Sequence, residues 1–250
     1  KVDSVPGTGM ATLRMNPNFP PFDDVRVRQA IIHAMDYDAI GVAVFRGLGE
    51  RADSILAPAF GEFRTPSHNA GTDLDKSRAL LRDAGHGGGL DIQLEYSDNW
   101  WWEEPLAIQA KDALGKVGVN LSLKRIPKAE MNSRRRAGKR DLPFFPHLAN
   151  AFVLAPGYAF YLSAHQKGSS NVNDYKSDKF DSVVDALIEE TDHAKRVELA
   201  HKAQKIHADD STFVVTHFPK TYAVTVPCIS GWLWHQHDRL VWKHLSCDES

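Results

Sequence analysis

The chain has 250 residues, of which 42% are hydrophobic and 25% charged, and its formal net charge is −2. These values are typical of a globular protein with a sizeable core. The near-neutral charge gives no general attraction to nucleic acid or to an anionic membrane surface. No apolar run approaches the ~20 residues that cross a bilayer. Because Lys1 is not an initiator methionine, we expect the natural start to lie upstream.

The first part of the chain predicts one strand followed by two capped helices. Met10–Met15 alternates between core-forming and other residues, as in a half-buried strand. The prolines within Asn16–Pro21 exclude a helix there. Asp23 and Asp24 can accept backbone N–H hydrogen bonds at the start of a helix, and Asp36 can do the same for the next helix.

The rest of the chain alternates between helices and strands after a long ordered loop at 50–72. Predicted helices cover residues 74–84, 103–117, 127–136, 178–190 and 194–208. Predicted strands cover residues 90–96, 119–123, 142–145, 213–217 and 222–226. This order predicts a layered α/β domain.

Three consecutive tryptophans, Trp100, Trp101 and Trp102, follow the predicted strand 90–96. Ligands of α/β domains bind beyond the carboxyl ends of strands. Three successive residues cannot all face one side, so we expect at least one to line a surface or cleft; the alternative is packing beneath the next helix. Phe152–Tyr161 forms a second aromatic loop after another predicted strand. Two such loops on one edge predict a binding face with apolar walls.

Familiar catalytic and cofactor motifs are absent from the sequence, including the nucleophile elbow, the P-loop and the dinucleotide fingerprint. We therefore predict no catalytic residue and no cofactor. His235, His237 and His244 come closest to a metal cluster, but a closed site needs further ligands in fixed geometry, so we predict no metal site. The basic run Arg134–Arg140 lacks interleaved aromatic residues and is interpreted as a solvated helix end, with no nucleic-acid partner.

The two cysteines, Cys228 and Cys247, leave two interpretations open. They are either free thiols, as in a cytosolic protein, or a single bridge that closes a short C-terminal loop in an exported one.

The stretch Asn16–Asp36, NPNFPPFDDVRVRQAIIHAMD, resembles the signature of the family 5 extracellular solute-binding proteins. That signature has an Asn, a Pro-Pro-Phe-Asp-Asp core, then Val-Arg-Gln-Ala and an Asp, and this chain keeps all of it. Four further segments resemble the family in the expected order. They are Leu74–Gly85, Ala110–Leu123, Ser170–Asp181 and Arg196–Ile206.

The resemblance implies an α/β lobe of the type II-like periplasmic-binding-protein fold, with a layered mixed sheet and flanking helices. It implies an inter-lobe strand at 1–15, a C-terminal ligand-binding lobe at 16–220, and a segment at 221–250 that returns to a first lobe outside this chain. The family binds dipeptides, oligopeptides, nickel chelates, opines and some oligosaccharides.

We therefore expect the substrate-binding component of an ABC importer, not an enzyme. It would be a periplasmic monomer, or an extracellular one tethered to the membrane. Its partners would be a small peptide-like or oligosaccharide solute and a membrane permease. The alternatives are a sensory ligand-binding module and a hydrolase without a recognisable motif.

The sequence departs from the peptide-binding members at two charged positions. Those members place an acidic residue after a Trp in a strand-end loop. If the positions are counted from Gly138, His147 occupies the Trp position and Asn150 the acidic position. If they are counted back from Pro156, Phe152 occupies the acidic position. Dipeptide binders also keep an Arg in the tryptophan loop, which here has none. Aromatic stacking with Asn hydrogen bonds suits a sugar, or a capped or longer peptide. The candidate ligand-binding residues are Asn99, Trp100, Trp101, Trp102, His147, Asn150, Phe152 and Tyr158.

Overall fold

The computed structural model describes residues 2–7, 9–68, 71–98, 100–136, 139–150, 155–230, 233–235, 239–241 and 245–247. The α-helices are α1 (Val25–Ala34), α2 (Tyr37–Ala43), α3 (Leu74–Asp83), α4 (Glu103–Gly115), α5 (Lys128–Arg135), α6 (Pro156–Ser163), α7 (Asp178–Glu189) and α8 (His193–Asp210). The longer strands are β1 (Val2–Pro6), β2 (Gly9–Met15), β4 (Leu90–Ser97), β5 (Val119–Ile126), β6 (Phe144–Asn150) and β7 (Phe213–Val224). The short ones are β3 (Gly49–Arg51), β8 (Ile229–Ser230), β9 (Leu233–His235), β10 (Arg239–Val241) and β11 (Ser246–Cys247).

The main sheet has the strand order β1-β7-β2-β6, with β3 beside β7, and all its pairs are antiparallel. A parallel pair, β4 and β5, lies next to it, with β4 against β6. The structure is thus mixed α/β, as predicted. Along the described chain, no helix has the length and apolarity needed to cross a membrane.

Two hydrophobic cores lie on opposite faces of the main sheet, because successive residues of a strand point to opposite faces. Leu13 and Met15 of β2 belong to the core formed with α1, α2 and α4. Met10 belongs to the core formed with α6, α7 and α8. Phe144 is fully buried in the first core, where its ring lies 5.3 Å from that of Phe22.

The predicted helix caps are confirmed. The side chain of Asp24 accepts a hydrogen bond from the Arg26 N–H at the start of α1, and that of Asp36 accepts one from Ala39 at the start of α2. Arg28 of the signature is buried and donates to the carbonyl oxygens of Phe22 and Asp210. The signature residues Asp24, Arg28 and Asp36 therefore have structural roles.

Four segments differ from the prediction. The aromatic loop predicted at Phe152–Tyr161 overlaps helix α6, which begins at Pro156. The strand predicted at 142–145 starts at Phe144 and continues to Asn150, because β2 pairs with it over its whole length. The strands predicted at 213–217 and 222–226 are one strand, β7. Its Pro219 lies between the residues paired with β2 and those paired with β1, and it is the last residue paired with β3, so the missing N–H falls at the end of a ladder. The loop predicted at 50–72 contains a 3₁₀ helix, Pro58–Phe63.

The two cysteines are joined. Cys228 and Cys247 form a disulfide beside the β8–β11 pair, and their Cα atoms are 4.8 Å apart. This decides between the two interpretations that the sequence left open. Disulfides persist in exported proteins and are rare in the cytosol.

Candidate functional site

The tryptophan loop connects the end of β4 to the start of α4. One carboxylate oxygen of Glu103, the first residue of α4, accepts hydrogen bonds from the backbone N–H and the hydroxyl of Ser97, at 2.8 and 2.9 Å. These bonds tie the two ends of the loop together. Trp102 is only 3% exposed and packs in the first core, whereas Trp100 and Trp101 are 47% and 65% exposed. The expectation that at least one tryptophan lies at the surface is confirmed. Asn99 lies outside the described residues.

Trp101 borders a cleft of about 370 Å³. Its ring meets that of Phe45 edge-on, with centroids 6.2 Å apart. The Tyr222 hydroxyl donates to the Leu48 carbonyl oxygen at 3.1 Å. This hydrogen bond links β7 to the segment that follows α2 on the other side of the cleft. The lining residues come from the chain around the end of α2, from β3, from the tryptophan loop and from the outer half of β7. They are Phe45, Arg46, Leu48, Gly49, Trp101, Pro219, Lys220 and Tyr222.

The chemistry of this cleft follows from its lining. Aromatic and aliphatic walls can pack against apolar or ring-shaped parts of a solute. Arg46 and Lys220 add two cationic side chains and no carboxylate is among the lining residues, so the cleft favours an anionic or electron-rich group. Sequence reasoning found only Trp101. Phe45, Leu48 and Tyr222 are far apart in the chain and carry no motif, so only the pairing of β3 with β7 reveals their proximity.

His147 lies elsewhere, within β6 and opposite Thr12 of β2. The Thr12 hydroxyl donates to the His147 carbonyl oxygen at 2.8 Å. Burial, together with the nearby cations Arg14 and Arg135, lowers the pKa of the partly buried His147 ring well below its usual value. The ring is therefore neutral at physiological pH and can act as a hydrogen-bonding group but not as a cation.

The remaining candidates are not brought to the tryptophan cleft by the described geometry. Asn150 ends β6 opposite Gly9, and only its backbone belongs to the described part. Phe152 lies outside the described residues. Tyr158 sits on α6 and is 46% exposed. Of the candidate residues that the structure describes, Trp101 lines the cleft. Trp100 precedes it in the chain but is not a lining residue, and neither are His147 and Tyr158.

The sequence predicts that the basic run Arg134–Arg140 is a solvated helix end. The structure contradicts this prediction for Arg134 and Arg135. Arg134 donates to carboxylate oxygens of Glu95 at 2.7 Å and Asp141 at 2.9 Å, and its side chain is only 20% exposed. Arg135 is 10% exposed. The carboxylates come from β4 and from the loop before β6, so tertiary pairing explains the burial. Among the described residues, no group of three or more His, Cys, Asp or Glu side chains could hold a metal. His237 and His244 lie outside them.

A hydroxyl–histidine chain exists, but away from the tryptophans. The Ser67 hydroxyl lies 2.9 Å from His68 Nδ1, and His68 Nε2 lies 3.0 Å from His207 Nδ1. Burial lowers the pKa of His68 to about 3, so its ring is a poor base near neutral pH. Ser67 and His68 border a separate groove that shares no lining residue with the tryptophan cleft. A hydrolytic site therefore gains no support from this arrangement.

The family model described as "Bacterial extracellular solute-binding proteins, family 5 Middle" matches residues 1–171. The chain belongs to this family. It is 27% identical over 223 residues to the "Dipeptide-binding protein" of Escherichia coli (strain K12), an alignment that covers 85% of this chain and 41% of that protein. The chain thus spans about two fifths of the length of this curated relative.

Two solved structures share the fold of this family 5 chain. HbpA2 from Haemophilus parasuis matches with a TM-score of 0.88 at 21% identity, over 100% of this chain and 50% of that one. The dipeptide binding protein from Pseudoalteromonas sp. SM9913 in complex with Met-Leu matches with a TM-score of 0.86 at 20% identity, over 99% and 50%. These matches confirm the predicted type II-like periplasmic-binding-protein fold.

Proposed function

We propose that this chain is the C-terminal lobe of the substrate-binding component of an ABC importer, which captures a peptide-like solute and hands it to a membrane permease. The observation that carries the proposal is the family match over residues 1–171, on a fold shared with a protein solved in complex with Met-Leu. The E. coli relative is also named for dipeptides. The oligosaccharide alternative gains no support from these relatives. The protein would bind and release its solute without catalysis, as a monomer.

The tryptophan cleft is the proposed solute-contacting part of this lobe. It lies where β3 and the outer half of β7 come together, next to β1. Apolar side chains are exposed at this edge: Val2 is 66% exposed, Val224 80% and Val226 60%. An apolar surface of this kind favours coverage by another part of the protein. We place a first lobe there, reached through residues 1–15 and 221–250, so that closure of the two lobes encloses the solute.

The charges of the cleft favour one orientation of a peptide. Arg46 and Lys220 line it, and neither His147 nor Asn150 supplies the carboxylate that would pair with a peptide amino terminus. The carboxyl end of a peptide, or a capped peptide with an aromatic side chain, is the group that suits this lobe. The Cys228–Cys247 bridge supports a periplasmic or extracellular location.

Tryptophan fluorescence tests the proposed site. Titration of the full-length protein with a dipeptide and tripeptide panel should give saturable changes. Trp101→Ala should weaken peptide binding roughly 10- to 100-fold, because an indole ring contributes about 1.5–3 kcal/mol when it is buried by a ligand. Ile108→Ala removes a comparably exposed apolar side chain from α4, outside the cleft, and should leave affinity unchanged. Equal affinities in the two variants would refute the placement of the solute at Trp101.

A further inference from the structure

Two arginines with little exposed surface, Arg14 and Arg135, lie beside β6. Arg14 of β2 is wholly buried, pairs with Phe145 across the ladder and stacks 3.3 Å from the centre of the Phe213 ring. Its Nε donates to the Thr12 hydroxyl at 3.0 Å. Neither Nη1 nor Nη2 has a hydrogen-bond partner, although both atoms are buried. Ring stacking compensates only part of the cost of burying a guanidinium group.

Arg135, at the end of α5, reaches the same strand from another side. Its Nη2 donates to the Pro146 carbonyl oxygen, and its guanidinium group lies 5.2 Å from the Phe145 ring. Its Nε is buried without a partner. The closest carboxylate is that of Glu103, with Oε1 at 3.8 Å. Glu103 accepts its hydrogen bonds from Ser97 through the other oxygen, so at 3.8 Å it makes an ion pair with Arg135 but no hydrogen bond.

The local charges do not balance. Arg14 and Arg135 bring two positive charges and Glu103 brings one negative charge. His147, which follows Pro146 on β6, is neutral because burial and the nearby charges of Arg14 and Arg135 lower its pKa. The segment that follows β6, residues 151–154, reads Ala-Phe-Val-Leu and has no acidic side chain to offer. Burial of an uncompensated cation is strongly unfavourable, so a further negative group is needed for stability.

We propose that Arg14 and Arg135 together bind one small monovalent anion, of the chloride or bromide class, inside the lobe. Arg14 Nη1 and Nη2 and Arg135 Nε are the free buried donors that would hold it. Arg14 has no exposed surface, so an internal ion fits better than a group of the exchanging solute. The anion would neutralise the excess charge and fix β2 against β6.

Thermal unfolding of the full-length protein in chloride and in gluconate, at equal ionic strength, tests this site. Gluconate is too bulky for an internal site. We expect the melting temperature to be higher in chloride by roughly 2–4 °C, since a ligand of the folded state stabilises it by mass action. Arg14→Met removes the donor and the excess charge and should abolish the difference between the salts. Arg82→Met, an exposed position on α3, should retain it.

A second measurement applies if Arg14→Met does not fold. Crystals of the unmodified protein grown with bromide should show an anomalous peak within hydrogen-bonding distance of Arg14 Nη1 or Nη2. Equal melting temperatures in the two salts, a chloride effect that survives Arg14→Met, or a bromide peak only elsewhere would overturn the proposal. Stabilisation by acidic peptides alone, with chloride inert, would assign the arginines to the solute and overturn it as well. Each readout is independent of peptide binding at Trp101.

Discussion

The contact between the partly buried His68 and the buried His207 of α8 predicts a specific acid sensitivity of folding. His68 Nε2 and His207 Nδ1 are 3.0 Å apart, so one ring donates and the other must stay unprotonated to accept. Burial lowers the pKa of His68 to about 3, below its ordinary value near 6.5. The unfolded chain therefore binds a proton on His68 more readily than the folded protein does. The stability that this residue contributes is present above about pH 6.5 and is lost as the pH falls towards 3.

The magnitude follows from the size of the shift. One pKa unit corresponds to about 1.4 kcal/mol, so lowering the pH from about 7.5 to about 5 should cost roughly 2 kcal/mol through His68 alone. Burial also lowers the pKa of His207, so this residue acts in the same direction. Urea denaturation at the two pH values measures the loss. His68→Gln can still donate to His207 but cannot titrate, and its free energy of unfolding should fall by about 2 kcal/mol less than that of the unmodified protein.

His193→Gln is the matched control for this experiment. His193 opens α8 with a largely exposed side chain, 2.8 Å from Glu62, and an exposed pair of this kind contributes little. The free energy of unfolding of His193→Gln should therefore change with pH as that of the unmodified protein does. If His68→Gln loses as much stability between the two pH values as His193→Gln does, the His68–His207 contact is not the source of the acid sensitivity and the reasoning is refuted.

Two further predictions concern packing and the disulfide. Phe144→Ala should lower the free energy of unfolding by about 3–5 kcal/mol, since the ring is fully buried in the first core. Urea denaturation measures this loss, with Ile108→Ala, a change at an exposed side chain, as the reference variant. A loss under about 1 kcal/mol would contradict the packing of Phe144. Reduction of Cys228–Cys247, which are 19 residues apart in sequence, should cost roughly 3 kcal/mol. Unfolding curves with and without reductant should differ by that amount, and coincident curves would show that this segment does not unfold with the lobe.

Local signals in the sequence predict the helices other than α6, because the determinants of those helices are close in the chain; α6 lies in a stretch predicted as an aromatic loop. Asp24 and Asp36 cap α1 and α2 as expected, since an aspartate before an apolar repeat needs only its own backbone neighbours. The extents of β6 and β7 could not be predicted this way. Pro219 reads locally as a strand breaker, and its tolerance within β7 depends on where β1 and β2 end.

The candidate site was predictable only in part for the same reason. Trp101 stands out because three tryptophans at a strand end are rare and conspicuous, but its partners Phe45 and Tyr222 come from distant segments. The burial of Arg134 was missed because Glu95 lies on another strand. A run of basic residues reads as solvated when the carboxylates that pair with it are far away in the sequence.

Capture of a peptide-like solute by a family 5 lobe is tested most directly by isothermal titration calorimetry of the full-length protein. Dipeptides, tripeptides, capped peptides and oligosaccharides should be titrated under one set of conditions. We predict saturable binding of at least one peptide class with one solute per protein molecule and no heat of binding from the oligosaccharides. Saturable binding of an oligosaccharide, with every peptide class inert, would contradict peptide capture by this protein.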